Sequence, residues 1–418
     1  MEDNLYYVED IKYMDNEANL AEVVLLHAND ENGSDAIIVQ VPSNQLQYFN
    51  SRGESIPVAE NNFVYYTPNQ QIFFINGNLS TFARRMRALA SRYKNQIDQN
   101  NANIVEEYEN ARNFRLIQNM MVRSYHVNVG HGNCSLILTC IGSFYNLWMV
   151  DCSIYDNLNR SNNSANLEDC LSQIAALLQV DKTTLRIDCF MLTHTHYDHY
   201  SGLEYLFSQR YVDNKTLFYA NTTYGCVSHT WVRVLRLLAT NGCRVIQPIR
   251  NNLRTVRRIL YPIVPQVCKK GLCITGTEMI VPKINNSSVV YCLELADKMM
   301  ILPGDLEHAG LNDMVTGCSC SPEYYRSNYY CISHHASDTG HINVPCTGTK
   351  NCPNVLMCLQ NNLTYAIIMG RDHAFNGIYS TQVINDFGQS VIYSEKNLSG
   401  QPIRFFELDW ITDMVTYF

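Results

Sequence analysis

Residues 192–202 read L-T-H-T-H-Y-D-H-Y-S-G, which places three of the chain's twelve histidines and an aspartate within six consecutive positions. An apolar core has little use for such a cluster, and three imidazoles repel one another when charged. A bound cation resolves both difficulties. Where an extended segment stops, His194 and His196 point to the same side and two imidazoles can grip one ion. Asp198 and His199, on the turn that follows, swing toward a neighbouring point. That geometry suits two adjacent metal ions, but one cluster cannot complete two coordination shells.

The remaining ligands must come from other strand ends. Asp305, in M-M-I-L-P-G-D-L-E, closes an apolar run at a Pro-Gly turn and suits a bridging carboxylate. His334 and His335, in Y-Y-C-I-S-H-H-A-S-D-T-G, close another, and Asp151, in F-Y-N-L-W-M-V-D-C, ends a third as a hydrogen-bond partner for a ligand imidazole. A single acid after a strand is usually a turn or cap residue. Four strand ends with complementary chemistry point instead to one site.

These motifs resemble the metallo-β-lactamase fold superfamily, whose H-x-H-x-D-H signature is matched in full by His194, His196, Asp198 and His199. V-N-V-G-H-G-N-C-S-L-I (127–137), M-V-D-C (149–152), L-P-G-D-L-E (302–307) and I-S-H-H-A-S (332–337) follow the order of one branch, and are similar to the nuclease-like domain of ComEC-type DNA-uptake proteins. The similarity covers about 122–410 and leaves 1–120 outside it. It implies an αββα sandwich holding two divalent ions, Zn or Mn. His194, His196 and Asp305 would hold one, and Asp198, His199, Asp305 and His334 the other, with His335 as fallback ligand or substrate-facing acid. His229, in C-V-S-H-T-W, either joins the first metal or simply opens a helix. The implied catalytic set is Asp198, His335 and His373, the last beside the leaving group. His131, in G-H-G-N, either touches substrate or stabilises its loop. Ala336 departs from the glycine of the branch's H-H-G-S.

The elements that must position these residues follow from the chain's texture. Residues 1–78 alternate short apolar runs with Asn, Gly, Ser and Pro, the pattern of a small β-rich unit. Residues 79–120 read as a helical hairpin, with Phe82, Met86, Leu89, Tyr93 and Ile97 at helical spacing in its first arm. Arg84, Arg85, Arg87, Arg92 and Lys94 on that arm are either a phosphate-facing stripe or a solvated face, and the solvated face is preferred. From 121 to 418, strand-length apolar runs alternate with helical segments near 167–179, 201–209, 228–241 and 380–388, a layered α/β domain that the resemblance implies is a metallo-β-lactamase-like hydrolase domain.

Composition narrows the function. A net charge of −8 argues against a broad basic surface for long polyanions. No apolar run reaches the roughly 18 residues that span a bilayer, and the start carries no signal-like segment, so a cytoplasmic protein is expected. The sixteen cysteines then read as mostly buried free thiols, and Cys318, Cys320, Cys346, Cys352 and Cys358 as loop thiols. The expected activity is that of a phosphodiesterase or nuclease in which paired ions deprotonate a shared water. Its substrate would be a nucleotide-sized phosphodiester or a nucleic acid, with homodimer or partner contacts made through 1–120. The alternatives are hydrolysis of a small ester or lactone, and a non-catalytic interaction module.

Overall fold

The computed structural model describes residues 5–13, 20–27, 37–49, 55–58, 63–66, 72–74, 79–102, 121–156, 161–220, 229–246, 260–263, 285, 288–295, 298–308, 327–344, 354–372 and 378–418. Its N-terminal part is an antiparallel sheet of β1 (Leu5–Tyr13), β2 (Leu20–His27), β3 (Ile37–Pro42), β6 (Phe63–Tyr66) and β7 (Ile72–Phe74), in the order β3-β2-β1-β6-β7. A hairpin of β4 (Gln47–Phe49) and β5 (Ser55–Pro57) lies beside it. Ala21, Val23 and Leu25, at alternate positions of β2, are each fully buried and so share one face of the strand. With Val8, Val39, Val41, Leu46, Val58 and Val64 they form a core of their own.

The helix α1 (Leu79–Ala102) follows, and the expected second arm of its hairpin lies outside the described residues. From its midpoint on, α1 buries Ala90 and Ile97 in the core of the next unit. Its last two turns dock by amide side chains. Gln96 Nε2 donates to Ala239 O at 3.0 Å, while Asn101 both donates to Val245 O at 2.7 Å and accepts from Val245 N at 2.9 Å.

That next unit is an αββα sandwich. One sheet is built from β8 (Met121–Val127), β9 (Cys134–Ile141), β10 (Phe144–Cys152), β13 (Cys189–Met191), β14 (Leu217–Tyr219), β15 (Arg244–Ile246), β22 (Phe405–Asp409) and β23 (Val415–Tyr417). Its order is β15-β14-β13-β10-β9-β8-β22-β23, and β10, β13, β14 and β15 run parallel. The other holds β16 (Leu260–Ile263), β17 (Val290–Leu295), β18 (Lys298–Leu302), β19 (Tyr329–Cys331), β20 (Tyr365–Ile368) and β21 (Val391–Tyr393) in sequence order, parallel from β18 onward. β11 (Tyr155–Asp156) and β12 (Ser161–Asn162) form a small separate pair.

Alternation decides which layer each side chain joins. Tyr291, Leu293, Met300 and Leu302 point between the sheets, where they meet Ile137, Val150 and Met191. Their neighbours Val290, Cys292, Met299 and Ile301 point outward under α6 (Val355–Gln360) and α7 (Thr381–Phe387). On the far side, Leu136, Leu138, Leu147 and Met149 lie under α2 (Ser164–Leu178), α4 (Leu203–Ser208) and α5 (His229–Thr240). Sheets covered on both faces explain why these strands read as continuous apolar runs. Next to the signature, Tyr291 OH donates to Leu192 O at 2.9 Å and Val289 N to Thr193 O at 2.8 Å, stitching the two sheets together.

Eight described cysteines are free thiols, seven of them buried. Cys358 of α6 corrects the loop-thiol reading, because it is disulfide-bonded to a partner outside the described residues. Among the described residues no helix is long and apolar enough to cross a membrane.

Candidate metal centre

Asp151, the 194–199 turn, Asp305 and the 334–335 turn all lie at the carboxyl ends of β10, β13, β18 and β19, the side on which α/β sheets place their sites. Past β13 the chain stays extended through His196 (φ −75°, ψ 151°) and then enters α3 (Tyr197–Tyr200). His194 and His196 therefore project from extended backbone, and Asp198 and His199 from a helical turn. The His194 ring lies 4.8 Å from that of His196 and 4.1 Å from that of His199. Tyr197 and Tyr200, on the other side of the turn, anchor it in the core.

The turn after β18 comes close because Gly304 has no side chain. At its φ of 60° a Cβ would stand 2.6 Å from Thr193 Cβ. Asp305 Oδ1 then lies 3.2 Å from His199 Nε2, and Oδ2 lies 3.5 Å from His335 Nε2 and 4.0 Å from His194 Nε2. His335 Nε2 is also 3.2 Å from Asp198 Oδ2. Two sets of ligand atoms result, His194, His196 and Asp305 in one and Asp198, His199, Asp305 and His335 in the other, each set within 4.8 Å. Ligands of a tetrahedral ion with bonds near 2.05 Å stand about 3.4 Å apart, close to these separations.

Hydrogen bonds behind the ligands fix their tautomers. His199 Nδ1 lies 2.7 Å from Asp151 Oδ2, and His335 Nδ1 lies 3.2 Å from Met369 O. Carboxylates and carbonyls only accept, so each Nδ1 carries the hydrogen and each Nε2 is left to face the site. Asp151 is itself held by Thr193, whose N and Oγ1 both donate to it at 2.8 Å.

The chemistry of these atoms fits a cation. His194 Nε2, His199 Nε2 and Asp305 Oδ1 are buried without a well-aligned hydrogen bond, despite the 3.2 Å charge contact between the last two. Buried polar atoms normally find partners. Charge gives the same answer. Burial works against the charged form of His199, yet Asp305, Asp198 and Asp151 around it drive its pKa well above the ordinary value. Burial likewise opposes the charge on His335, which Asp305 and Asp198 push up to about 9. His194 goes the other way, held neutral by burial and by His199 and His196 beside it. The carboxylates thus demand positive charge at their centre. Asp198, with its side chain 19% exposed, is where the cluster opens toward solvent.

The other sequence candidates fall as follows. Where the sequence pointed to His334, the structure brings His335. His334, His335 and Ala336 all take left-handed backbone, with φ of 51°, 51° and 60°, which turns the His334 ring out of the cluster. That ring meets Thr339 Oγ1 at 2.9 Å and Asn285 Nδ2 at 3.4 Å. His229 opens α5, and its side chain lies outside the described residues, as does all of His373. His131 Nε2 lies 3.3 Å from Asp198 Oδ2. Sequence reasoning missed Thr193 and the Met369 carbonyl. Thr193 adjoins the signature, but nothing in the sequence marks a backbone carbonyl as the holder of a ring.

No family model matches the chain, and neither does any curated protein. Several solved structures overlay on it in part. A diphosphatase from the PhnP family gives a TM-score of 0.33 at 11% identity, over 69% of this chain and 98% of that one. Unliganded yeast PDE1 gives 0.34 at 9% identity, over 64% and 93%. The metallo-beta-lactamase fold protein YhfI from Bacillus subtilis gives 0.27 at 11% identity, over 50% and 70%. At these scores no property of those proteins transfers to this chain.

Proposed function

We propose that this chain is a binuclear metal-dependent hydrolase of the metallo-β-lactamase fold superfamily, and that it cleaves a phosphodiester. The observation that carries this reading is Asp305, one buried carboxylate common to two ligand sets. Divalent ions there would supply Lewis acidity, making water nucleophilic near neutral pH and neutralising charge that builds on a phosphoryl group. His194, His196 and Asp305 are assigned to one ion, and Asp198, His199, Asp305 and His335 to the other. Asp305 sets their spacing. Asp151 and the Met369 carbonyl hold His199 and His335 in the ligand tautomer, and the exposed flank of Asp198 admits substrate.

Mixed imidazole and carboxylate ligands suit Zn or Mn beside phosphate oxygens. The order of motifs supports a place in the ComEC-like, nuclease-like branch, and the net charge of −8 favours a short or nucleotide-sized substrate. Metal analysis of the purified chain, followed by assays with Mn or Zn on bis-p-nitrophenyl phosphate, a lactone and p-nitrophenyl acetate, tests this directly. The expected result is two bound ions and turnover of the phosphodiester alone. Turnover confined to the lactone or acetate would reassign the substrate, and a chain that binds no metal would overturn the proposal.

A further inference from the structure

The loop between β8 and β9 is built with more care than a connection needs. Asn128 accepts from Gly130 N at 3.1 Å and donates to Ile403 O at 2.8 Å. Asn163 Nδ2 donates to Val129 O at 2.8 Å, and Asn166 Nδ2 to Asn128 O at 2.7 Å. On its inner side the loop lies directly on the signature turn. Asn133 N donates to Asp198 O at 3.0 Å, and a Cβ at Gly132 (φ 135°) would stand only 2.5 Å from that oxygen. Loop and Asp198 are thus held in fixed register, and the residue presented at their junction is His131, 8% exposed.

Two imidazoles come closest to Asp198 Oδ2, His335 Nε2 at 3.2 Å and His131 Nε2 at 3.3 Å, with His199 Nε2 farther off at 3.8 Å. They are not equivalent. His335 Nδ1 donates to Met369 O, which would leave Nε2 for a cation once one is bound. His131 belongs to neither cluster of ligand atoms. Its Nε2 meets a carboxylate, which only accepts, and therefore donates.

We propose that His131 is a positioning residue for Asp198, fixing that carboxylate toward the second ion by a hydrogen bond from Nε2; the proposal rests on the reading of the site as a metal centre. Groups that orient a ligand in this way commonly govern about 10–100-fold of metal affinity. The loop backbone is held by the side chains of Asn128, Asn163 and Asn166, and replacing the His131 ring leaves those bonds in place.

The test is calorimetric titration of the metal-free full chain with Mn or Zn, for wild type, H131A, H131Q, D198A and H131A/D198A. H131A is expected to weaken one of two ions about 10–100-fold and spare the other. H131Q, which keeps a donor, should restore most of that affinity. With Asp198 already removed, H131A should cost nothing further, because its effect runs through that carboxylate. Unchanged affinity in H131A, equal weakness in H131Q, or a full additional loss in the double variant would each overturn the assignment while leaving the metal centre standing. A wild-type chain that binds no cation would overturn both.

Discussion

At the scale of single residues, the site rests on an asymmetry between two aspartates. Asp305 serves both ligand sets and Asp198 only one. Replacing Asp305 with Ala should therefore strip both ions and Asp198→Ala only one, read as metal-to-protein ratio after desalting, while both should lower turnover at least about 10²-fold. Equal metal content in the two variants would refute the shared role. Ala336 allows a different check. It is fully buried at φ 60°, a conformation that costs a non-glycine residue about 1–2 kcal/mol. Part of the relief is offset by glycine's greater freedom when unfolded. Ala336→Gly should thus raise stability by up to about 1 kcal/mol in a denaturant titration, and a clear loss would contradict the strain. The signature residues were legible because their spacing alone brings them together. The choice between His334 and His335 was not, because adjacent residues on a turn are distinguished by backbone dihedrals that composition does not encode.

At the scale of elements, α1 is the informative case. Its apolar spacing was readable, but its docking was not, since the contacts are made by Gln96 and Asn101, which look like surface amides. β15 is the edge of its sheet, and Asn101 pairs with both backbone groups of Val245 as another strand would. The basic residues of this helix were read as a solvated face; Arg92 is exposed and Lys94 half-buried, while the side chains of Arg84, Arg85 and Arg87 lie outside the described residues. Asn101→Ala leaves the buried Val245 without that pairing, so a loss of about 1–3 kcal/mol is expected by chemical denaturation. A loss below about 0.3 kcal/mol would show that water replaces the amide at no cost.

At the scale of the whole molecule, the alternation of strands and helices indicated a layered α/β domain and the resemblance to the metallo-β-lactamase fold implied its two sheets, whereas the closing of the first sheet by β22 beside β8 was not anticipated. Pairing across about 280 positions leaves no local trace. The seam between these strands holds His126, fully buried, hydrogen-bonded to Ser135 and Ser124 and stacked on Phe406. Burial pushes its pKa down to about 3. A depressed folded-state value means that the unfolded chain takes up the proton first. The stability tied to His126 is therefore complete above its unfolded value near 6.5 and drains as pH falls toward the folded value. Between pH 7 and 5 that amounts to about 2 kcal/mol, and unfolding titrations across this range should show the slope in wild type and lose it in His126→Gln. An unchanged slope in the variant would place the acid sensitivity elsewhere.

The same seam bears on how the chain is made. Trp410, fully buried and donating to Ser124 Oγ at 3.0 Å, is supplied almost 290 positions after its partner. A nascent chain on the ribosome cannot complete this sheet until residues near 410 have left the exit tunnel. Until then the flank of β8 is an open strand edge, which favours sticking to neighbouring unfinished chains, and faster delivery of the last segment shortens that exposure.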